Sequence, residues 1–276
     1  MAQLGPENQD RTGSMQLLHG TVKLDGGQAE VAVPDGFYLL GPADTRNVIE
    51  KLWGNPADTT LLGLMFPANM TPFGAHDWAA TFQFDSIGYV SDSDAEDYNY
   101  DDLLKSMQDD TDAENPDRVK GGFPSVTLVG WAEPPHYDKA DRKLVWAKRL
   151  TFSGTPGETL NYNIRALGRK GVLVVNFIAD MEELADVQAA APKVMKAISF
   201  TDGNRYADYV PSLDTVAAVG IGGLIAGKVL SSTGILVVAL LLLKKGAVLI
   251  LLPLIWVRNK IKGRNKGGGT GAGPIT

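Results

Sequence analysis

Cysteine is absent from this chain of 276 residues. Disulfides, thiol nucleophiles and cysteine-ligated zinc or iron–sulfur centres are excluded with it. The redox compartment stays open, because a cysteine-free chain is at home on either side of a membrane. Histidine is scarce: only His19, His76 and His136 are present. No two of them stand at helical spacing, so no histidine-based metal motif exists. The sequence also lacks a GxSxG elbow, a P-loop, an HExxH and a GxGxxG after a strand. No cofactor is implied, and the balance tilts away from hydrolase or nucleotide chemistry. Long charge-free runs are missing from most of the chain, and positive charge is short there too. Residues 1–212 carry 18 Lys and Arg against 31 Asp and Glu. Such an acidic body argues against nucleic acid as a partner, since binding phosphates takes Lys and Arg.

The last quarter reverses both deficits. Residues 213–276 hold eight Lys and Arg against Asp214 alone. From Val216 to Leu243 the only charge is Lys228, and after Lys244-Lys245 a second apolar run extends from Gly246 to Val257. A bilayer core about 30 Å thick takes roughly 20 apolar residues as a helix. The expectation is a membrane anchor within 213–257, with the lipid bilayer as a partner. Three topologies compete: one span over 216–243, one span over 235–257, and a hairpin turning near 231–234. The first buries one lysine rather than two and is preferred on the insertion scale. Arg258, Lys260, Lys262, Arg264 and Lys266 lead into a Gly-rich tail over 258–276. The positive-inside rule then puts the tail in the cytoplasm and the acidic body outside. Residues 1–24 show neither the basic start nor the apolar run of a signal peptide. That leaves a cytoplasmic body behind a hairpin anchor as the alternative placement. Ala218, Gly222, Gly223 and Gly227 share the small-residue spacing of packed membrane helices, the basis for expecting a homo-oligomer.

Within the acidic body, residues 1–19 read as a lead and 20–212 as one domain. Alternation over 20–33 with Gly26-Gly27 between predicts a hairpin, and Phe37–Leu40 another strand. Asp44 is the expected cap of a helix carrying Val48, Ile49 and Leu52. Strands are predicted at 61–65 and 78–85, then a helix capped by Asn99 with Leu103, Leu104 and Met107 inward. The stretch 109–122 reads as a polar connection. Four strands follow at 125–131, 144–152, 159–167 and 171–179, and a helix over 182–198 with a break at Pro192. Consecutive strands without intervening helices predict an antiparallel sheet flanked by helices, an α+β layered domain.

Two groups of residues are candidate sites. Asp92, Asp94, Glu96 and Asp97 form a dense acidic cluster able to offer carboxylate oxygens to a metal or other ligand, though not at EF-hand spacing. Against this stands a solvated loop leading into the helix. His76-Asp77 beside Trp78 is a possible acid–base pair. His136 lies in Trp131-Ala-Glu-Pro-Pro-His-Tyr137-Asp138, which reads as a ligand-facing loop carrying Trp131, His136 and Tyr137, or as a Pro-stiffened connection.

Several phrases follow one another along the chain: Leu52-Trp53-Gly54-Asn55-Pro56, Gly88-Tyr89-Val90-Ser91-Asp92, Asn99-Tyr100-Asp101-Asp102-Leu103-Leu104, Leu128-Val129-Gly130-Trp131-Ala132, Trp146-Ala147-Lys148, Leu160-Asn161-Tyr162-Asn163-Ile164-Arg165 and Arg205-Tyr206-Ala207-Asp208. In this order they resemble a family of bacterial membrane-anchored proteins known as domain of unknown function 2167. The resemblance covers about residues 20–260. It implies an envelope protein with a C-terminal anchor at the inner membrane, and carries no reaction or cofactor. The strand order also resembles the Mog1/PsbP-type sandwich, a likeness of fold that cannot supply function. The expected function is a membrane-anchored binding or assembly module that meets other envelope proteins. The alternatives are an anchored metal-dependent enzyme, or an oligomer built on the anchor helices.

Overall fold

A computed structural model describes residues 15–227 apart from 54, 56, 57, 75 and 76. The strands are β1 (Leu17–Leu18), β2 (Gly20–Leu24), β3 (Ala29–Val33), β4 (Phe37–Leu40), β5 (Leu61–Pro67), β6 (Ala79–Asp85), β7 (Val126–Asp138), β8 (Lys143–Phe152), β9 (Thr159–Leu167), β10 (Val172–Asp180) and β11 (Ile198–Phe200). Eight of them form one sheet in the order β1-β4-β5-β6-β10-β9-β8-β7. Every pairing in it is antiparallel. A smaller sheet, β11-β3-β2, stands apart. The helices are α1 (Pro42–Arg46, continuing as a wider π turn over Asn47–Leu52), α2 (Tyr100–Lys120), α3 (Leu184–Ala197) and α4 (Ile221–Ala226). The fold is α+β, with helices layered on an antiparallel sheet, as the run of unbroken strands predicts.

Alternation decides which side chains meet. Along β9, Leu160, Tyr162, Ile164 and Ala166 enter a core with Phe82, Val145, Val175 and Phe177. Val187, Ala191 and Val194 of α3 and Val31 of the small sheet close that core. The opposite face carries two apolar islands. One gathers Tyr38, Leu40, Phe66 and Ile178 under Val48 and Ile49. The other gathers Leu144, Trp146, Leu150 and Val174 under Met107 of α2 and Ile221, Leu224 and Ile225 of α4. Between the islands, Thr81, Gln83, Asn161, Asn163 and Asn176 are buried polar residues.

Three expectations change. The polar connection over 109–122 is helix: α2 runs to Lys120 through Pro116. Asn115 secures it by side-chain hydrogen bonds to both the N–H and the C=O of Val126, each 2.8 Å. The expected loop after Trp131 is the second half of β7, which extends to Asp138. β7 is the outer strand of its sheet, and its register shifts three times between Leu128 and His136. An edge strand with bulges tolerates Pro134-Pro135, which lack N–H donors. Pro192 lies inside α3, which ends by passing directly into β11.

The domain also runs past residue 212. Arg169 binds Asp214 at 2.7 Å, and Tyr89 donates to the Thr215 carbonyl while accepting from Ala217 N–H. Residues 216–227 pack on the domain, and Gly227, at φ 72°, ends α4. A continuous span over 216–243 is therefore corrected: its first twelve residues are strap and short helix. Among the described residues, no helix is long and apolar enough to cross a membrane. The remaining apolar runs, 229–243 and 246–257, lie outside the described residues.

Candidate functional site

The loop between β6 and α2 brings the acidic cluster against β7. Asp92 is its hub. Its Oδ2 accepts from the Tyr137 hydroxyl at 2.9 Å and from Arg142 Nη1, and its Oδ1 lies 3.0 Å from the Tyr206 hydroxyl. Tyr206 is equally close, at 3.0 Å, to the Val90 carbonyl. Arg142 sits at φ 54° in the β7–β8 turn, a left-handed conformation unusual for a side-chain-bearing residue. From there its guanidinium also lies 4.7 Å over the Tyr206 ring. Tyr89 stacks on Tyr209 with ring centres 3.8 Å apart, extending the aromatic group. Burial alone would raise the Asp92 carboxyl, but the bonds from Tyr137 and Tyr206 and the Arg142 charge outweigh it and hold the group below the usual carboxylate range. Burial drives the Tyr137 and Tyr206 hydroxyls well above an ordinary tyrosine, and the Asp92 charge reinforces this. All three groups keep one protonation state across the physiological range.

This hub is a wall between two clefts. One, of about 490 Å³, is lined by Asp92, Glu96, Asp97, Tyr98, Tyr100, His136 and Tyr137. The other, of about 680 Å³, is lined by Tyr89, Arg142, Lys143, Phe200, Arg205, Tyr206 and Tyr209. The first has an acidic rim and the second a basic one, and both have tyrosine surfaces. Lys143 is committed to the Met195 carbonyl at 2.6 Å and Arg205 to Asp202 at 2.5 Å.

The structure thus draws together Asp92, Glu96, Asp97, His136 and Tyr137, which the sequence offered as two separate groups. The others go elsewhere. Asp94 accepts from the Tyr98 hydroxyl at 2.6 Å and from the Ile221 N–H at 3.2 Å, so it caps α4. Trp131 donates to the Tyr100 carbonyl and joins the core under α2. Asp77 accepts from the Thr71 N–H in the β5–β6 connection, and His76 lies outside the described residues. Among the described residues, no group of three His, Asp or Glu side chains that could hold a metal ion is found, in the acidic cluster or elsewhere. The reason is visible in the bonds, since Asp92 and Asp94 are committed to protein donors. Arg142 escaped the sequence reading because a turn arginine carries no signature. Tyr206 did stand in one of the phrases that carry the family resemblance, which gave a signal without a reason.

The small-residue stripe also has a local use. A Cβ on Gly222 would fall 2.1 Å from Tyr98 Cε1, and one on Gly220 would fall 2.0 Å from Asp94 Oδ2. Ala218 is exposed on the strap. Gly223 backs onto Val219 of its own segment, where a Cβ would meet Val219 Cβ at 2.7 Å. At Gly222 the stripe lets α4 approach the acidic loop closely.

Fold and site define a class: an α+β sheet domain whose surface clefts share a wall of one ion pair and several tyrosines. The chain belongs to the family described as "Protein of unknown function (DUF2167)", whose model matches residues 16–255. No curated protein matches it. Among solved structures, cyanobacterial PsbP (CyanoP) from Synechocystis sp. PCC 6803 is similar at TM-score 0.39 and 8% identity, over 73% of this chain and 99% of the other. The Saccharomyces cerevisiae Ran-binding protein Mog1p is similar at TM-score 0.36 and 10% identity, over 71% of this chain and 100% of the other. Neither likeness carries a function to this chain.

Proposed function

We propose that this protein is a non-enzymatic binding or assembly module of the bacterial cell envelope, tethered to the membrane by residues that follow Gly227. The observation that carries the binding half is the Asp92 hub. Three side-chain donors fix one carboxylate between two clefts of ligand-pocket size. A preformed wall spares a ligand the cost of ordering its own site. The tether rests on sequence and length. With residues through 227 used by the domain, Val229–Leu243 is the next uncharged run, and it has 15 residues. At 1.5 Å per residue a helix of that length reaches about 22 Å, short of the roughly 30 Å hydrocarbon core. The proposed tether is therefore 229–257, both apolar runs together.

Two experiments test the halves separately. Alkaline carbonate washing of membranes should leave the full-length chain in the pellet; recovery in the supernatant removes the tether. A photo-reactive residue at Lys139, beside the acidic cleft, should give a discrete adduct in membranes that the same residue at exposed Lys120 does not. Identical adducts from both positions would remove the cleft as the binding face.

A further inference from the structure

The strap over 210–218 is fixed to the domain on one side and bare on the other. Arg169 binds Asp214 at 2.7 Å, and the same carboxylate accepts from the Val210 N–H at 2.7 Å. Tyr89 N–H donates to the Thr215 carbonyl and the Tyr89 carbonyl accepts from Ala217 N–H, each at 2.8 Å. A Cβ on Gly88 would fall 2.5 Å from the Thr215 oxygen, so strap and domain are in close contact there. Asp214 is turned inward, with its side chain 5% exposed. Leu213 and Val216 are not: they are 78% and 53% exposed. They are two of the four large apolar side chains exposed among the described residues, and the other two, Leu17 and Val119, stand apart on β1 and α2. Pro211 and Ala218 of the strap are exposed as well. A segment pinned this firmly presents the same apolar side chains to its surroundings at all times.

The neighbours suit a lipid surface. Tyr89 and Tyr209, stacked and half-buried, flank the strap, and Lys170 is exposed beside Arg169. Tyrosine and lysine around an apolar tip are the side chains that settle at a membrane–water boundary. The acids on the approach to the strap are engaged: Asp214 by Arg169, Asp208 by the Arg205 N–H at 2.9 Å, and Asp202 by the Arg205 guanidinium. The course of the chain supplies the bilayer. Val216 precedes Ile221, the start of α4, by five residues, and Gly227 closes that helix. At about 3.5 Å per extended residue and about 1.5 Å per helical one, Val216 and Gly227 are about 30 Å apart at most. A folded domain of about 210 residues is about 45 Å across. The strap therefore cannot lie at the pole farthest from the point where the chain leaves for the tether.

We propose that the strap is a second membrane contact, with Leu213 and Val216 seated in the headgroup interface of the bilayer that the tether enters. This rests on the tether proposed above. It fixes how the domain stands on the membrane, and it brings the cleft lined by Tyr89 and Tyr209 close to the lipid surface.

The absence of cysteine allows one fluorophore at a time on the full-length chain. In phosphatidylcholine vesicles carrying a nitroxide high on the acyl chain, a dye at Leu213→Cys or Val216→Cys should be quenched about twofold or more, as a depth of about 5–10 Å requires. A dye at Lys193→Cys, exposed on α3 across the sheet from α4, should not be. A dye at Leu241→Cys reads the tether alone. Quenching at 241 but not at 213 or 216 overturns the strap contact and leaves the tether standing. No quenching at 241 removes the tether, and the strap contact with it. Equal quenching at 213 and 193 overturns the proposal too, because the domain then has no preferred face. To exclude the dye as the anchor, a dye at exposed Ser212→Cys is compared with Leu213 and Val216 intact and with Leu213→Ser plus Val216→Ser. Losing two apolar side chains should shift docking by about tenfold or more. Unchanged quenching at 212 overturns the proposal. A blue-shifted dye at 213 without nitroxide quenching means that another copy of the chain covers the strap, which overturns the lipid assignment.

Discussion

Asp92 concentrates more consequence than any other side chain near the surface. It accepts from Tyr137, Tyr206 and Arg142, and removing its charge leaves a guanidinium and two hydroxyls facing an amide. Asp92→Asn should lower stability by about 1–3 kcal/mol, the usual cost of stranding hydrogen-bonded partners. Its folded carboxyl lies below the ordinary value, so the sign is fixed: the contribution is complete above about pH 4 and is lost as pH falls through the folded value. Thermal melts from about pH 6 down to about pH 2 should therefore show a steeper acid limb in wild type than in Asp92→Asn. Parallel limbs would mean that the hub contributes nothing as a charge. Lys148 has the opposite sign. Its ammonium is disfavoured by burial and by the Arg165 charge, so Lys148→Met should match or exceed wild-type stability near neutral pH. A loss of several degrees in melting temperature would show that Lys148 is held by favourable contacts.

At the scale of elements, α4 and α2 show how much depends on close approach. Gly222→Leu places a side chain where the Tyr98 ring stands, since even a Cβ would fall 2.1 Å from Cε1. Overpacking of this kind costs about 1–3 kcal/mol. The melting temperature of the full-length chain should drop accordingly, whereas a stripe serving only membrane helices would leave it unchanged. Asn115→Ala removes two bonds that act as a short strand on Val126. Amide exchange at Val126 should accelerate, with about 1–2 kcal/mol lost. These two elements also mark where the sequence was and was not readable. The strands at 144–152 and 159–167 were legible by different signals: 144–147 is a short apolar run buried on both faces, while Leu160, Tyr162, Ile164 and Ala166 alternate with the polar Asn161, Asn163 and Arg165. The helix over 109–120 was not, because its inward contacts are made by Asn115, Gln108 and Arg118 side chains to backbone carbonyls rather than by an apolar stripe. The strand through Pro134-Pro135 was masked by residues that signal a turn anywhere but on a bulged edge. The acidic cleft was half visible as Asp92, Glu96 and His136; the partners of Asp92 that line the second cleft, Arg142 and Tyr206, come from segments distant in sequence and only the fold unites them. The seam of Lys148, Asn161, Asn163 and Arg165 hid inside two strands whose apolar neighbours gave the dominant signal.

For the molecule as a whole, charge asymmetry is the property that a fold description leaves over. The described domain is acidic, and beyond residue 243 lie seven Lys and Arg with no acid. If the proposed tether crosses the bilayer once, the positive-inside rule places residues 258–276 in the cytoplasm and both clefts outside. A cysteine-free chain makes this measurable, because any single introduced thiol is the only one present. Lys139→Cys lies exposed at the rim of the acidic cleft. Gly269→Cys lies in the Gly-rich tail. A membrane-impermeant maleimide should label the first in intact cells and the second only after lysis. Labelling of both before lysis would mean that the tether enters and leaves by the same face, with the basic tail outside. Labelling of neither before lysis would put the acidic domain in the cytoplasm beside its own basic tail. In that arrangement the two clefts would meet cytosolic ligands.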